Sequence, residues 1–135
     1  MELEYGESEE YRVKSLKSQG EVQIARLLER NGIAYQYEYP LALIERGKTR
    51  IWYPDYRLPE YGMIIEYFGV NGNSGYDERT RHKMEVYKQA GIEGLFLKKD
   101  SLAGDWPNKI MAQIEAILKG RLDRFYNQRK CGSRE

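Results

Sequence analysis

The chain is short of the residues that cross-link, chelate through sulfur or cross a bilayer. Its one cysteine, Cys131, stands in a polar tail, so neither an internal disulfide nor a cysteine-based zinc site can form. That usage suits a reducing cytoplasm. The one histidine, His82, falls at the margin of a predicted helix and is not expected to ligate a metal. No apolar run is long enough to span a membrane, and no signal-peptide pattern opens the sequence. A formal net charge of +1 provides no global field to steer the chain to nucleic acid or lipid. The charge is uneven, however. Residues 1–10 carry five glutamates and no base, whereas Arg121, Arg124, Arg129, Lys130 and Arg134 face one aspartate near the C-terminus.

What remains is a charged, tyrosine-rich chain of 135 residues, enough for one domain with a core of its own. Most of its 12 tyrosines alternate along predicted strands and read as half-buried sheet residues. Residues 1–17 read as a flexible acidic arm, 18–126 as the folded domain and 127–135 as a basic flexible tail. Ser18 is a natural N-cap for a helix over Gln19 to Asn31, which Gly32 stops. Strands are expected over Tyr35–Leu41, Arg50–Leu58, Met63–Phe68 and Gly94–Lys98. Gly69–Gly75 reads as a loop, Asp77–Ala90 as a second helix, and Trp106 to Tyr126 as a last helix capped by Asp105. The order α-β-β-β-α-β-α predicts an α/β sandwich with a mixed central sheet flanked by helices and an extra C-terminal helix.

The chemistry starts from a hairpin. Leu58-Pro59-Glu60-Tyr61-Gly62 carries turn residues, Pro presetting φ and Gly supplying a positive one. A turn centred on Glu60-Tyr61 pairs residues whose numbers sum to 121, which sets Asp55 directly opposite Glu66. Opposed residues hold their Cβ atoms roughly 4.5–5.5 Å apart, and like charges there oppose pairing. Two carboxylates so placed on apolar strands call for a cation between them.

Two further residues fit around that pair. Glu21 shares a helical face with Ile24, Ala25 and Leu28, so it projects toward the sheet. The same spacing also makes Ser18-Gln19-Gly20-Glu21 a capping box, and both readings stand. Lys83 lies on the stripe Tyr76, Thr80, Lys83, Tyr87 and Ala90 of the second helix. Inward, its ammonium needs a negative partner; outward, its stem snorkels and its charge stays solvated.

The helix acid, Pro54-Asp55 and Glu66, in the order α-β-β-β-α-β, resemble the PD-(D/E)XK, or restriction-endonuclease-like, nuclease superfamily. The strings GEVQIARLLERNGIAYQYEYPL, WYPDYRLPEYGMIIEYFGV and RHKMEVYKQAGIEGLFL are similar to its helicase-associated and very-short-patch-repair-like branch. The resemblance spans about residues 18–120. It implies that Asp55 and Glu66, with Glu21 and the Tyr67 carbonyl, hold Mg²⁺ or Mn²⁺ for hydrolysis of DNA phosphodiester bonds. The motif's lysine, two residues after the acid, is replaced by Phe68, and Lys83 is the natural substitute. Glu21, Asp55, Glu66 and Lys83 are thus the expected catalytic set.

Lys48, Arg50, Tyr76, Arg79 and Arg81 are candidate nucleic-acid contacts, with Arg46 and the Gly72–Tyr76 stretch beside them; a solvated surface role is the plainer alternative. Three functions remain open. One is a metal-dependent endonuclease acting in repair, recombination or restriction of foreign DNA. Another is a weak or inactive nuclease-fold module that binds branched or broken DNA. The last is an interaction module in which Asp55 and Glu66 merely pair with Arg57 or Arg50. A homodimer would suit double-strand cutting.

Overall fold

Two prolines and a left-handed residue set where the strands of this protein break. A computed structural model describes residues 18–68 and 74–132, with side chains over 18–68 and 78–129. The acidic arm, most of the glycine-rich stretch and the Tyr76 side chain lie outside the described residues. The chain forms two compact units, Met1–Ser101 and Leu102–Glu135.

In the first unit, helix α1 (Gln19–Arg30) is followed by strands β1 (Gln36–Tyr37), β2 (Leu41–Glu45), β3 (Lys48–Trp52), β4 (Tyr56–Leu58) and β5 (Met63–Phe68). Helix α2 (Ser74–Gln89) then crosses to strand β6 (Glu93–Lys98). Strands β1, β4, β5 and β6 form one sheet in that order, while β2 and β3 pair apart from it. The sheet is mixed, with β5 antiparallel to β4 and parallel to β6.

Two expected strands divide. The Tyr35–Leu41 segment breaks between β1 and β2, where Glu38 takes a φ of 50° and Pro40 offers no amide to a ladder. Arg50–Leu58 breaks at Tyr53-Pro54-Asp55 for the same reason, and Pro54 itself is buried. Strand β2 begins at Leu41, where the expected first strand ends, and closes on β3 through Arg46 and Gly47. Both have positive φ, 52° and 78°, as a two-residue type I′ hairpin requires. Helix α2 starts at Ser74 rather than Asp77, so it takes up the end of the expected loop. Its stripe turns inward at Thr80 and Tyr87, with Val86 buried beside them, but Ala90 is exposed.

The β4–β5 hairpin keeps the expected register. Tyr56, Arg57 and Leu58 pair with Ile65, Ile64 and Met63, each sum being 121, and the turn closes with Gly62 N–H donating to the Leu58 carbonyl at 2.9 Å. Alternation then sorts the side chains. Tyr56, Ile65 and Tyr67 face α1: the Tyr56 hydroxyl donates to the Glu21 carbonyl, and the Tyr67 ring lies where a side chain on Gly20 would sit. Ile64, Glu66 and Phe68 face the other way. There Ile64 packs with Leu43, Val86 and Tyr87, flanked by Trp52 and Phe96, so α2 and the β2–β3 hairpin cover this side.

The second unit is helix α3 (Trp106–Gly132), which runs on past Tyr126. The Asp105 carboxylate accepts from the Asn108 side chain at 3.0 and 3.1 Å ahead of its first turn. Among the described residues no helix is long and apolar enough to cross a membrane.

Gly94 lies on β6, where a Cβ would come within 2.9 Å of the Ile64 and Phe96 side chains. Gly94→Ala is therefore expected to cost about 1–3 kcal/mol through overpacking. A lowered urea midpoint with an unchanged m-value would register this loss, and an unmoved midpoint would contradict the packing described.

Candidate active site

Asp55 falls in the irregular turn just before β4, yet the hairpin register still brings it beside Glu66. Its amide N–H lies 3.4 Å from Glu66 Oε1, and its own Oδ2 accepts the Tyr67 N–H at 2.7 Å. Glu66 is only 3% exposed. A carboxylate so enclosed needs partners, and α2 provides them on one oxygen: the Tyr87 hydroxyl donates to Glu66 Oε2 at 2.7 Å, and Lys83 Nζ lies 3.6 Å from the same atom.

Lys83 reaches from α2 to the sheet face that carries Glu66 and Phe68. Its ammonium sits 5.9 Å above the Phe68 ring, a cation–π contact that steadies the charge there. The Lys83 side chain is 42% exposed, which leaves its charge open to an incoming anion.

Glu21 is also buried, but it comes from the α1 side of the sheet. Its amide N–H donates to Ser18 Oγ at 3.2 Å, which is half of the expected capping box. Its carboxylate accepts the Tyr37 hydroxyl at 3.1 Å instead of meeting Asp55 or Glu66 in one tight cluster. Its charge is felt nonetheless. Burial, then the negative charges of Glu66 and Glu21, push the Asp55 carboxyl up to about 7 against the opposing Tyr67 amide and Lys83. Burial and Glu66 likewise raise the Tyr87 phenol, which keeps it a hydrogen-bond donor.

These residues fit a hard divalent cation. Among the described residues no group of three or more His, Cys, Asp or Glu side chains forms a cage. Mg²⁺, however, is commonly held by one or two carboxylates together with water and phosphate oxygens. An aspartate whose proton is retained by burial and by the charges of two neighbouring acids is a site that a cation would relieve.

The remaining candidates are spread around this centre. Arg50 Nε lies 3.6 Å from Glu45 Oε1, and His82 Nε2 lies 2.6 Å from Glu45 Oε2; the hairpin and α2 thus meet through one acid. Arg57 lies over the Tyr39 ring at 5.3 Å. Glu66 meets Lys83, so neither arginine is needed to explain the acid pair. Lys48, Arg79 and Arg81 are exposed. Tyr87 and Tyr37 were overlooked as site residues. Tyr87 is four residues after Lys83 on the inward stripe, a spacing that stacks the two side chains on one helical face.

No protein-family model and no curated protein matches the sequence. Among solved structures, the chain is similar to the catalytic domain of the homing endonuclease I-Bth0305I. The two are 21% identical over 76% of this chain and 93% of that one, with a TM-score of 0.45.

Asp55 binds its proton more tightly folded than unfolded between 3.8 and about 7. In chelator, the stability from this group is full below its ordinary value and is lost as pH rises through about 7. Asp55→Asn should flatten that slope in thermal melts; an identical slope in both proteins would contradict it. Tyr87→Phe leaves Glu66 one donor short and should cost about 1–3 kcal/mol, read as a lowered denaturation midpoint. An unchanged midpoint would argue against the Tyr87–Glu66 bond.

Proposed function

We propose that the protein is a metal-dependent endonuclease that hydrolyses DNA phosphodiester bonds, in repair, recombination or restriction of foreign DNA. The observation that carries this reading is the position of Lys83 Nζ, 3.6 Å from Glu66 Oε2 and over Phe68. A cation there restores the charge pattern of the resembled motif, in which an aspartate, an acid and a lysine surround one phosphate.

Asp55 and Glu66 would hold Mg²⁺ or Mn²⁺, with the Tyr67 carbonyl beside them and Glu21 acting through water. When bound, the ion supplies a water of lowered pKa and positive charge against the phosphate oxygens. Tyr87 holds the Glu66 carboxylate in one orientation through Oε2, so the ligand is set before substrate arrives. The Tyr67 amide does the same for Asp55 Oδ2. Lys83 presents its half-exposed ammonium to a phosphate oxygen and steadies the charge that builds there as water displaces the 3′ oxygen in line. Arg79 and Arg81, exposed on the same helix, would meet flanking phosphates, which add affinity without sequence choice.

The test is cleavage of supercoiled, linear, single-stranded and branched DNA in Mg²⁺ or Mn²⁺. Wild-type protein is expected to cut. Asp55→Ala, Glu66→Ala and Lys83→Ala should each lose on the order of 100-fold or more while remaining folded. No cutting on any substrate, or equal cutting by all three variants, would overturn the proposal.

A further inference from the structure

A strand that lies between a core and solvent is normally apolar on one side and polar on the other. The β2–β3 hairpin departs from this. Its inner side is ordinary: Leu43 is buried against Ile64, Val86 and Tyr87, with Leu41 and Trp52 packed beside it. The alternate residues point the other way. There Ala42 pairs with Ile51 and Ile44 with Thr49, and Tyr53 lies two residues past Ile51. All five are exposed, Ile44 at 63%, Ile51 at 51% and Tyr53 at 61%. Strands apolar on both sides belong to sheets covered on both sides, yet among the described residues only the inner side of this hairpin is covered.

The absence of charge decides what kind of partner fits the outer side. In a chain of which 32% is charged, none of these five residues is. Nucleic acid and anionic lipid are held by cations. The cations of the hairpin lie elsewhere, Arg46 in the turn, and Lys48 and Arg50 opposite Glu45 and Leu43 on the inner side. A two-fold interface brings a patch onto a copy of itself, so its groups must tolerate their own kind. Uncharged branched and aromatic side chains do, and two hairpins stacked through them form a small sandwich with its sheets about 10 Å apart. The exposed apolar stripe of α3 does not suit a copy of itself. Leu122, Phe125 and Tyr126 stand among Arg121, Arg124 and Arg129, the last over the Phe125 ring, and like charges set face to face oppose association.

We infer that the protein forms a two-fold dimer through the outer side of the β2–β3 hairpin, with Ile44, Ile51 and Tyr53 at the contact. This surface is independent of the acid site, and the dimer stands whether or not the protein cuts DNA. It also adds to the nuclease reading. The same hairpin meets α2 through Glu45 and His82 at 2.6 Å, one residue before Lys83, and a dimer carries two acid sites, one for each strand of a duplex. Five exposed residues are fewer than the roughly 20–30 a side of a stable interface. The association is therefore weak and depends on concentration.

Sedimentation equilibrium of the full chain, in EDTA and without DNA, tests this over a concentration series reaching about 1 mM. The mass should rise from one chain toward two and stop there. Ile44→Lys and Ile51→Lys set like charges against each other across the contact and should each weaken association roughly 10-fold or more. In dilute solution both should melt with wild type, because the substituted side chains are exposed. Phe125→Lys, on the α3 stripe, should dimerise as wild type does.

A wild type that stays monomeric over the whole series overturns the inference, whatever else covers the face. So does a mass that climbs past two chains, a dimer that survives both isoleucine variants, or one lost only in Phe125→Lys. Cleavage assays in Mg²⁺ or Mn²⁺ separate the two readings. A monomer that cuts removes the dimer and leaves the nuclease. A dimer that cuts no DNA removes the nuclease and leaves the dimer.

Discussion

The arrangement of the first unit follows from the burial of one carboxylate, Glu66. An acid enclosed to this degree in the centre of a sheet is tolerated only with hydrogen bonds and an opposite charge around it. Tyr87 and Lys83 bring both from α2 to the same oxygen, and the Asp55 amide approaches the other. To do so, α2 must cross the sheet with one particular face inward. The apolar contacts of Val86 and Tyr87 with Ile64 and Leu43 hold it there. The polar site and the apolar cluster therefore share Tyr87, whose ring packs edge-on to Trp52 while its hydroxyl meets Glu66.

A second carboxylate beside the first would be a liability in a domain that used neither. Burial, with the opposing charges of Glu66 and Glu21 added to it, raises the Asp55 carboxyl to about 7. Positions that oppose folding in this way concentrate at functional sites, where a ligand repays the cost. The half-exposed ammonium of Lys83 lies on the sheet face that carries Glu66.

Much of this was legible in the sequence because turns and alternation are local. Pro59 and Gly62 fixed the β4–β5 register to the residue, and that register alone places Asp55 next to Glu66. The stripe Thr80, Lys83, Tyr87 set the inward face of α2. What escaped was decided by backbone details that hydrophobic patterning does not encode. Tyr35–Leu41 and Arg50–Leu58 have the composition of continuous strands, yet Pro40 and Pro54 interrupt each, and Leu41–Glu45 pairs with Lys48–Trp52 as a separate hairpin. Glu21 is buried on the inward face of α1 as its spacing predicts, bonds to Tyr37 and acts on Asp55 through its charge.

The account stands or falls on whether Asp55 and Glu66 hold a divalent cation. Titration of the protein with Mn²⁺, followed by the loss of the free-ion electron paramagnetic resonance signal, measures this directly. The account predicts one site that tightens as pH rises through about 7, where Asp55 gives up its proton, and that is abolished in Asp55→Asn and Glu66→Gln. Mn²⁺ binding that is absent from the wild type, or present and equal in the folded variants, would contradict it.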